Sequence, residues 1–191
     1  MSTSPAITVM PVPLPHDTAI DHFYATTHLA DAYAIELPPE ASGDPELLAR
    51  FIFAQRSVWG DALMRLRDAL VAGLGLKTSG QMASLSAEEQ AARVAIFRIY
   101  TTTPTEIVLG EDDTRLDFRV SVLCSPASPD SARRLTVSTV VHCHNLLGRV
   151  YIRIIAPFHR RLVKHGLRSA ARAGWTRDSD LSPDDKPAFG D

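Results

Sequence analysis

His142 and His144 stand two residues apart in a stretch of alternating period, so they share one face of a strand. If Leu116, Phe118, Val120 and Val122 face the core together with Val137, Thr139, Val141 and Cys143, then Asp113, Arg115, Asp117 and Arg119 lie on the opposite face with the two histidines. A cross-strand contact between His142 and Asp117 is then expected, and a histidine paired with a carboxylate can act as a base or orient a metal ligand. The same pattern also describes a half-solvated sheet face held by cross-strand charge pairs. A His-x-His pair without a third placed ligand assigns no metal, and none is expected here.

Three further groups could carry chemistry. Gly110-Glu111-Asp112-Asp113 collects three carboxylates, which suit a hard cation, but the staggered spacing of a calcium loop is missing, and a hairpin turn explains them as well. Between positions 148 and 174 there is no acid, and Arg149, Arg153, Arg160 and Lys164 fall within about 60° of one another on a helix, with Arg161, Arg168 and Arg172 beside them. Such a stripe fits an anionic lipid surface, a nucleic acid or an acidic partner, or pairs with acids of the same chain. The last group points inward: His165 near the middle of the helix's apolar arc, Tyr151 and Cys143 on buried faces, and His159 at the arc's edge. In an apolar cavity these would be the few groups that orient a ligand; as core residues they would satisfy one another.

These residues need elements to hold them. A short helix is expected over 17–25, a strand over 32–37, and a helix beginning at Asp44-Pro45, where an aspartate cap precedes a proline whose fixed backbone angle suits the first turn. Ser57 caps a second helix whose apolar residues run from Val58 to Leu70, ended by Gly73 or Gly75. From Val94 the period becomes two, predicting strands over 94–101, 106–110, 114–124 and 134–144 joined by short links, hence an antiparallel meander. After Asn145 the period is helical again: Leu147, Val150, Tyr151, Ile154, Phe158, Leu162 and His165 share an arc of about 120°, with Pro157 expected to kink the helix. Sheet and helix must bury their apolar faces against each other, which predicts an α+β fold of the helix-grip type, a curved antiparallel sheet wrapped around a long C-terminal helix.

Composition is that of an ordinary globule of 191 residues, 45% hydrophobic, with 20 basic side chains against 22 acidic ones. At this size one core can remove roughly 70% of the surface of the unfolded chain, so a single domain over 1–175 is expected, with a disordered polar tail over 176–191. The net charge of -2 provides no global basic field, so no nucleic-acid partner is expected. Prolines at 5, 11, 13 and 15 break the first apolar stretch, no run reaches the roughly 20 apolar residues of a membrane span, and two cysteines, Cys124 and Cys143, make no disulfide framework. A cytoplasmic protein with reduced thiols and no transmembrane segment follows. G-x-G-x-x-G and G-x-S-x-G are both absent, so no cofactor is expected and no catalytic triad is set by spacing.

Four stretches carry a resemblance. Leu63 to Leu70 with Gly75-Leu76-Lys77, Leu109 to Asp113 leading into Leu116-Asp117-Phe118-Arg119, Val137 to Val141, and Ala156-Pro157-Phe158-His159-Arg160 are similar to the bacterial family known as domain of unknown function 2867. The resemblance spans most of 30–172 and implies a fold similar to the START and Bet v 1 group (SRPBCC); it brings no reaction. The expected function is binding of a small apolar or lipid-like ligand between sheet and C-terminal helix. Its lining would come from Phe118, Val120, Val141, Tyr151, Ile154 and Phe158, with Cys143 and His165 as polar handles. The alternatives are an enzyme performing cyclisation or hydrolysis in the same pocket, with His165 or His159 as acid or base, and an interaction domain using the basic helix.

Overall fold

The structure is a computed structural model and describes residues 7–55, 92–129 and 131–177. In chain order these contain β1 (Met10–Val12), β2 (Leu29–Glu36), α1 (Pro45–Ala54), β3 (Arg93–Val94), β4 (Phe97–Thr102), β5 (Glu106–Asp112), β6 (Leu116–Ser125), β7 (Arg134–Cys143) and α2 (Leu146–Ala173). All seven strands form one sheet in the order β1-β2-β7-β6-β5-β4-β3, antiparallel throughout. With α1 and α2 on one face, this is the expected α+β helix-grip arrangement. The helix expected after Ser57 and the polar tail from 178 onward lie outside the described residues.

Alternation sets the register of the central hairpin. Phe118 pairs with Val141, Val120 with Thr139 and Val122 with Val137, so Asp117 stands opposite His142, as the sequence requires. A slip by one residue would turn every one of these apolar side chains over. Cys124 and Cys143 sit at opposite ends of the hairpin, both free and buried. The α1 start follows its capping signal: the Asp44 carboxylate accepts from the Glu46 and Leu47 amides at 2.8 and 3.3 Å, and Pro45 takes the first turn.

Four expectations are corrected. Residues 17–25 form turns instead of a helix: His22 takes a left-handed φ of 58°, which no helix tolerates, and the Ala19 amide is spent on the Glu106 carboxylate at 3.0 Å. Residues 13–28 are a strap over the second face of the sheet, which is consequently not half-solvated. Ile20 packs there on Val108 and Val140, and Glu106, Arg119 and Ser121 are buried beneath it. The acidic turn is also redistributed. Gly110, Glu111 and Asp112 continue β5, and alternation sends the two carboxylates apart, Glu111 to Arg93 at 3.2 Å and Asp112 to Arg119 at 2.7 Å. Ion pairing to arginine leaves no cation cluster; among the described residues no group of three metal-ligating side chains forms. A short strand at Met10–Val12, absent from the sequence reading, extends the sheet at one edge; at the other the strand expected over 94–101 is split, because Ala95 takes a left-handed φ of 54° and turns Arg93–Val94 back to pair with Phe97 and Arg98.

The fourth correction concerns the buried face of α2. Its buried residues are Gly148, Ile152, Ile155, Leu167 and Ala170, whereas Leu147, Val150 and Ile154 of the expected arc are exposed. Two apolar stripes run along this helix, and close approach selects between them. A Cβ on Gly148 would stand 2.5 Å from the Arg115 carbonyl oxygen and 3.4 Å from Cys143 Cβ, so only glycine lets the first turn settle on β6 and β7. Ile152 and Ala156 follow at helical spacing onto Leu29, Val141 and Cys143. Pro157 sits within α2 without interrupting it.

Under the strap, Arg119 is a fixed positive charge. Its guanidinium lies 3.7 Å from the Tyr100 ring centre and 4.9 Å from that of Phe23, while Asp112 accepts both from it and from the Tyr100 hydroxyl at 2.8 Å. Burial alone would raise the Asp112 carboxyl, but hydrogen bonds from Arg119 and Tyr100, with the charges of Arg119 and Arg98, hold it below the usual carboxylate range. A depressed folded value contributes stability that is complete above about pH 4, the ordinary aspartate value, and is lost as pH falls through the depressed one. Urea unfolding of the parent and Asp112→Asn should therefore differ at neutral pH and converge under acid. Because the Asp112 side chain is half exposed, the difference should also shrink with salt.

Candidate functional site

The sheet face beneath α2 is built in cross-strand rows. Leu29, Val141 and Phe118 form one row, and Asp31, Thr139, Val120 and Leu109 the next. Phe118, Val120, Val141 and Cys143 are thus brought onto one face, as expected. The row holding Val120 also holds a carboxylate. Asp31 was not singled out in the sequence, although it is the acid among Leu29, Tyr33 and Ile35 at period two, a recognisable interruption of an apolar face.

His159 of α2 descends to this carboxylate. Its Nε2 lies 3.4 Å from Asp31 Oδ1, and Arg160 Nε donates to Asp31 Oδ2 at 3.3 Å. The Asp31 and His159 side chains are 11% and 20% exposed, and both facing atoms are buried without an aligned hydrogen bond. Ion-pair distance without alignment leaves each atom able to take a further partner. Beside them burial pushes the Tyr33 phenol up, aided by the Asp31 charge and opposed by Arg160, so it remains a neutral donor. Lys164 Nζ stands 5.6 Å from the Tyr33 ring centre.

The remaining residues of the expected lining are distributed differently. Tyr151 and Phe158 are half-buried on α2, while Ile154 and His165 are exposed, His165 lying 3.3 Å from the Ser169 hydroxyl. Burial, only partly offset by Arg149, pushes the Cys143 thiol up, which keeps it a protonated and weakly nucleophilic group. None of the eight expected lining residues borders the hollow of about 490 Å3 on the other face, which is framed by Val12, Leu14, His16, Pro126 and Arg134.

The histidine strand ends also differ from expectation. Asp117 pairs with His144 Nε2 at 3.0 Å, and His142 turns to the Thr26 carbonyl at 2.6 Å through Nδ1, its ring stacked 5.6 Å from Tyr24. Sharing a register row did not decide the contact because the strap supplied His142 with a nearer acceptor. His28 Nδ1 accepts from the Cys143 amide at 3.0 Å. Burial, with the charges of Arg149 and His142, lowers its affinity for a proton, which favours the neutral ring. These contacts tie the strap to the end of β7.

The family model described as "Protein of unknown function (DUF2867)" matches residues 23–166, from the strap into the last third of α2. No curated protein and no solved structure gives a significant match to the chain.

Proposed function

The chain belongs to the DUF2867 family, and we propose that it binds a small apolar, lipid-like molecule between the sheet and α2, its polar end at Asp31 and His159. The observation that carries this reading is the pair of buried, unaligned polar atoms, Asp31 Oδ1 and His159 Nε2, with Arg160 on the other carboxylate oxygen and the apolar cluster of Leu29, Val141, Phe118 and Ile152 in the neighbouring row. A few polar groups converging among apolar walls are what orient a ligand. Asp31 would repel an anion and the neighbouring Arg160 and Lys164 a cation, so the matching head is a neutral hydroxyl, which donates to Asp31 and accepts from His159. The helix-grip arrangement of sheet and α2 supports the same reading by analogy. The free, buried cysteines suit the reducing cytoplasm in which we place the chain.

Long-chain alcohols at about a hundred times their Kd should stabilise the protein by about 2.7 kcal/mol, read as a rise in Tm. Asp31→Asn should weaken that binding about tenfold, the effect of one hydrogen bond to a charged acceptor. Absence of any shift across alcohols, fatty acids and sterols would contradict the reading. A second reading, an enzyme in which His159 is the general base oriented by Asp31, rests on the same 3.4 Å pair. It requires His159→Gln to abolish turnover while the ligand is still retained.

A further inference from the structure

We propose that the outward face of the first half of α2 docks on an anionic lipid bilayer. Leu146, Leu147, Val150 and Ile154 are 74%, 54%, 47% and 57% exposed, unusual for four aliphatic side chains on one helix. At about 100° per residue they occupy an arc of about 100°. Arg149 and Arg153, both exposed, border that arc on one side, and Arg161 continues it one turn beyond Pro157. The helix carries no acid over its 28 residues. An apolar stripe edged by cations on a helix without acids is the pattern of a segment that lies in the headgroup region. No helix among the described residues is long and apolar enough to cross a membrane, so α2 would lie on the surface.

Charge and residue type choose this occupant. A second copy would set basic stripe against basic stripe. A nucleic acid would match the arginines and leave the aliphatic stripe in water. Protein hot spots favour Trp, Tyr and Arg over Leu and Val, and the exposed apolar residues here are Leu, Val and Ile. Acyl chains accept aliphatic side chains from a protruding helix without a shaped groove. The inference concerns the outer face of α2 and stands apart from the ligand proposed for its inner face.

Flotation of the full chain with vesicles tests it. Association is expected with phosphatidylcholine containing about one third phosphatidylglycerol and not with phosphatidylcholine alone. It should weaken at least about tenfold between roughly 0.05 M and 0.5 M salt. Val150→Asp with Ile154→Asp, and separately Arg149→Glu with Arg153→Glu, should each abolish it with Tm unchanged, since all four side chains are exposed. No association with anionic vesicles at low salt overturns the proposal. Full binding by the Val150 and Ile154 double variant also overturns it, since the aliphatic stripe would then take no part in holding the lipid. Vesicle binding by protein that retains no small ligand would support docking while counting against the ligand proposed for the inner face.

Discussion

Glu106→Ala is expected to destabilise the protein by roughly 3–5 kcal/mol, which at this chain length lowers Tm by about 10 °C. The Glu106 side chain is buried between sheet and strap, where it accepts from the Thr18 hydroxyl, the Ala19 amide and the Ser121 hydroxyl. Deleting the carboxylate leaves these donors buried and unmet, and each unmet group costs far more than a made hydrogen bond contributes. It also frees the strap from β5, loosening Ile20 on Val108 and Val140. Glu106→Gln preserves shape, and the two hydroxyls can rotate to accept from the new amide, so its cost should be about 1–2 kcal/mol. Denaturant unfolding of the two variants should rank them in that order, and a Glu106→Ala effect below about 1 kcal/mol would mean that the carboxylate does not anchor the strap.

The second large effect is expected at Gly110, for a reason different from the one its sequence context suggests. It is not in a turn and has no left-handed φ; it lies within β5 opposite Arg119, and a Cβ there would run into the Phe118 carbonyl oxygen and approach Arg119 Cδ at 2.9 Å. Backbone cannot yield as a flexible side chain can, so Gly110→Ala must separate β5 from β6 or push Arg119 off the Tyr100 ring. Overpacking with partial loss of a buried cation–π and ion-pair contact should cost about 3 kcal/mol. Gly43→Ala is the control: its Cβ would meet only Arg133 Nη2 at 3.8 Å, and stability should be unchanged or slightly raised. Equal melting temperatures for the two alanine variants would contradict this account of β5.

Where alternation left a single solution, the sequence was readable. The β6–β7 register, with Asp117 opposite His142, follows from keeping Val120, Val122, Val137 and Val141 on one face. Reading failed where two solutions had similar apolar content. Ile20, Phe23 and Tyr24 have helical spacing, yet their segment is a strap, because a buried carboxylate four strands of chain away claims its backbone. On α2 the arc with more large apolar residues lost to the one containing Gly148 and Ala156, since approach distance depends on what lies beneath the helix, which periodicity cannot report. His159 was recognised as an edge position; its partner Asp31 was not, because it reaches the site through the pairing of β2 with β7, a contact between residues about a hundred positions apart in the chain.

The central claim, a ligand held between the sheet and α2, is tested most directly by native mass spectrometry of freshly purified protein, followed by denaturing extraction of whatever is released. A stoichiometric apolar molecule with a hydroxyl head, recovered at lower occupancy from Asp31→Asn, is the predicted result. A clean apo mass for the parent, from cells and after incubation with long-chain alcohols alike, would contradict it.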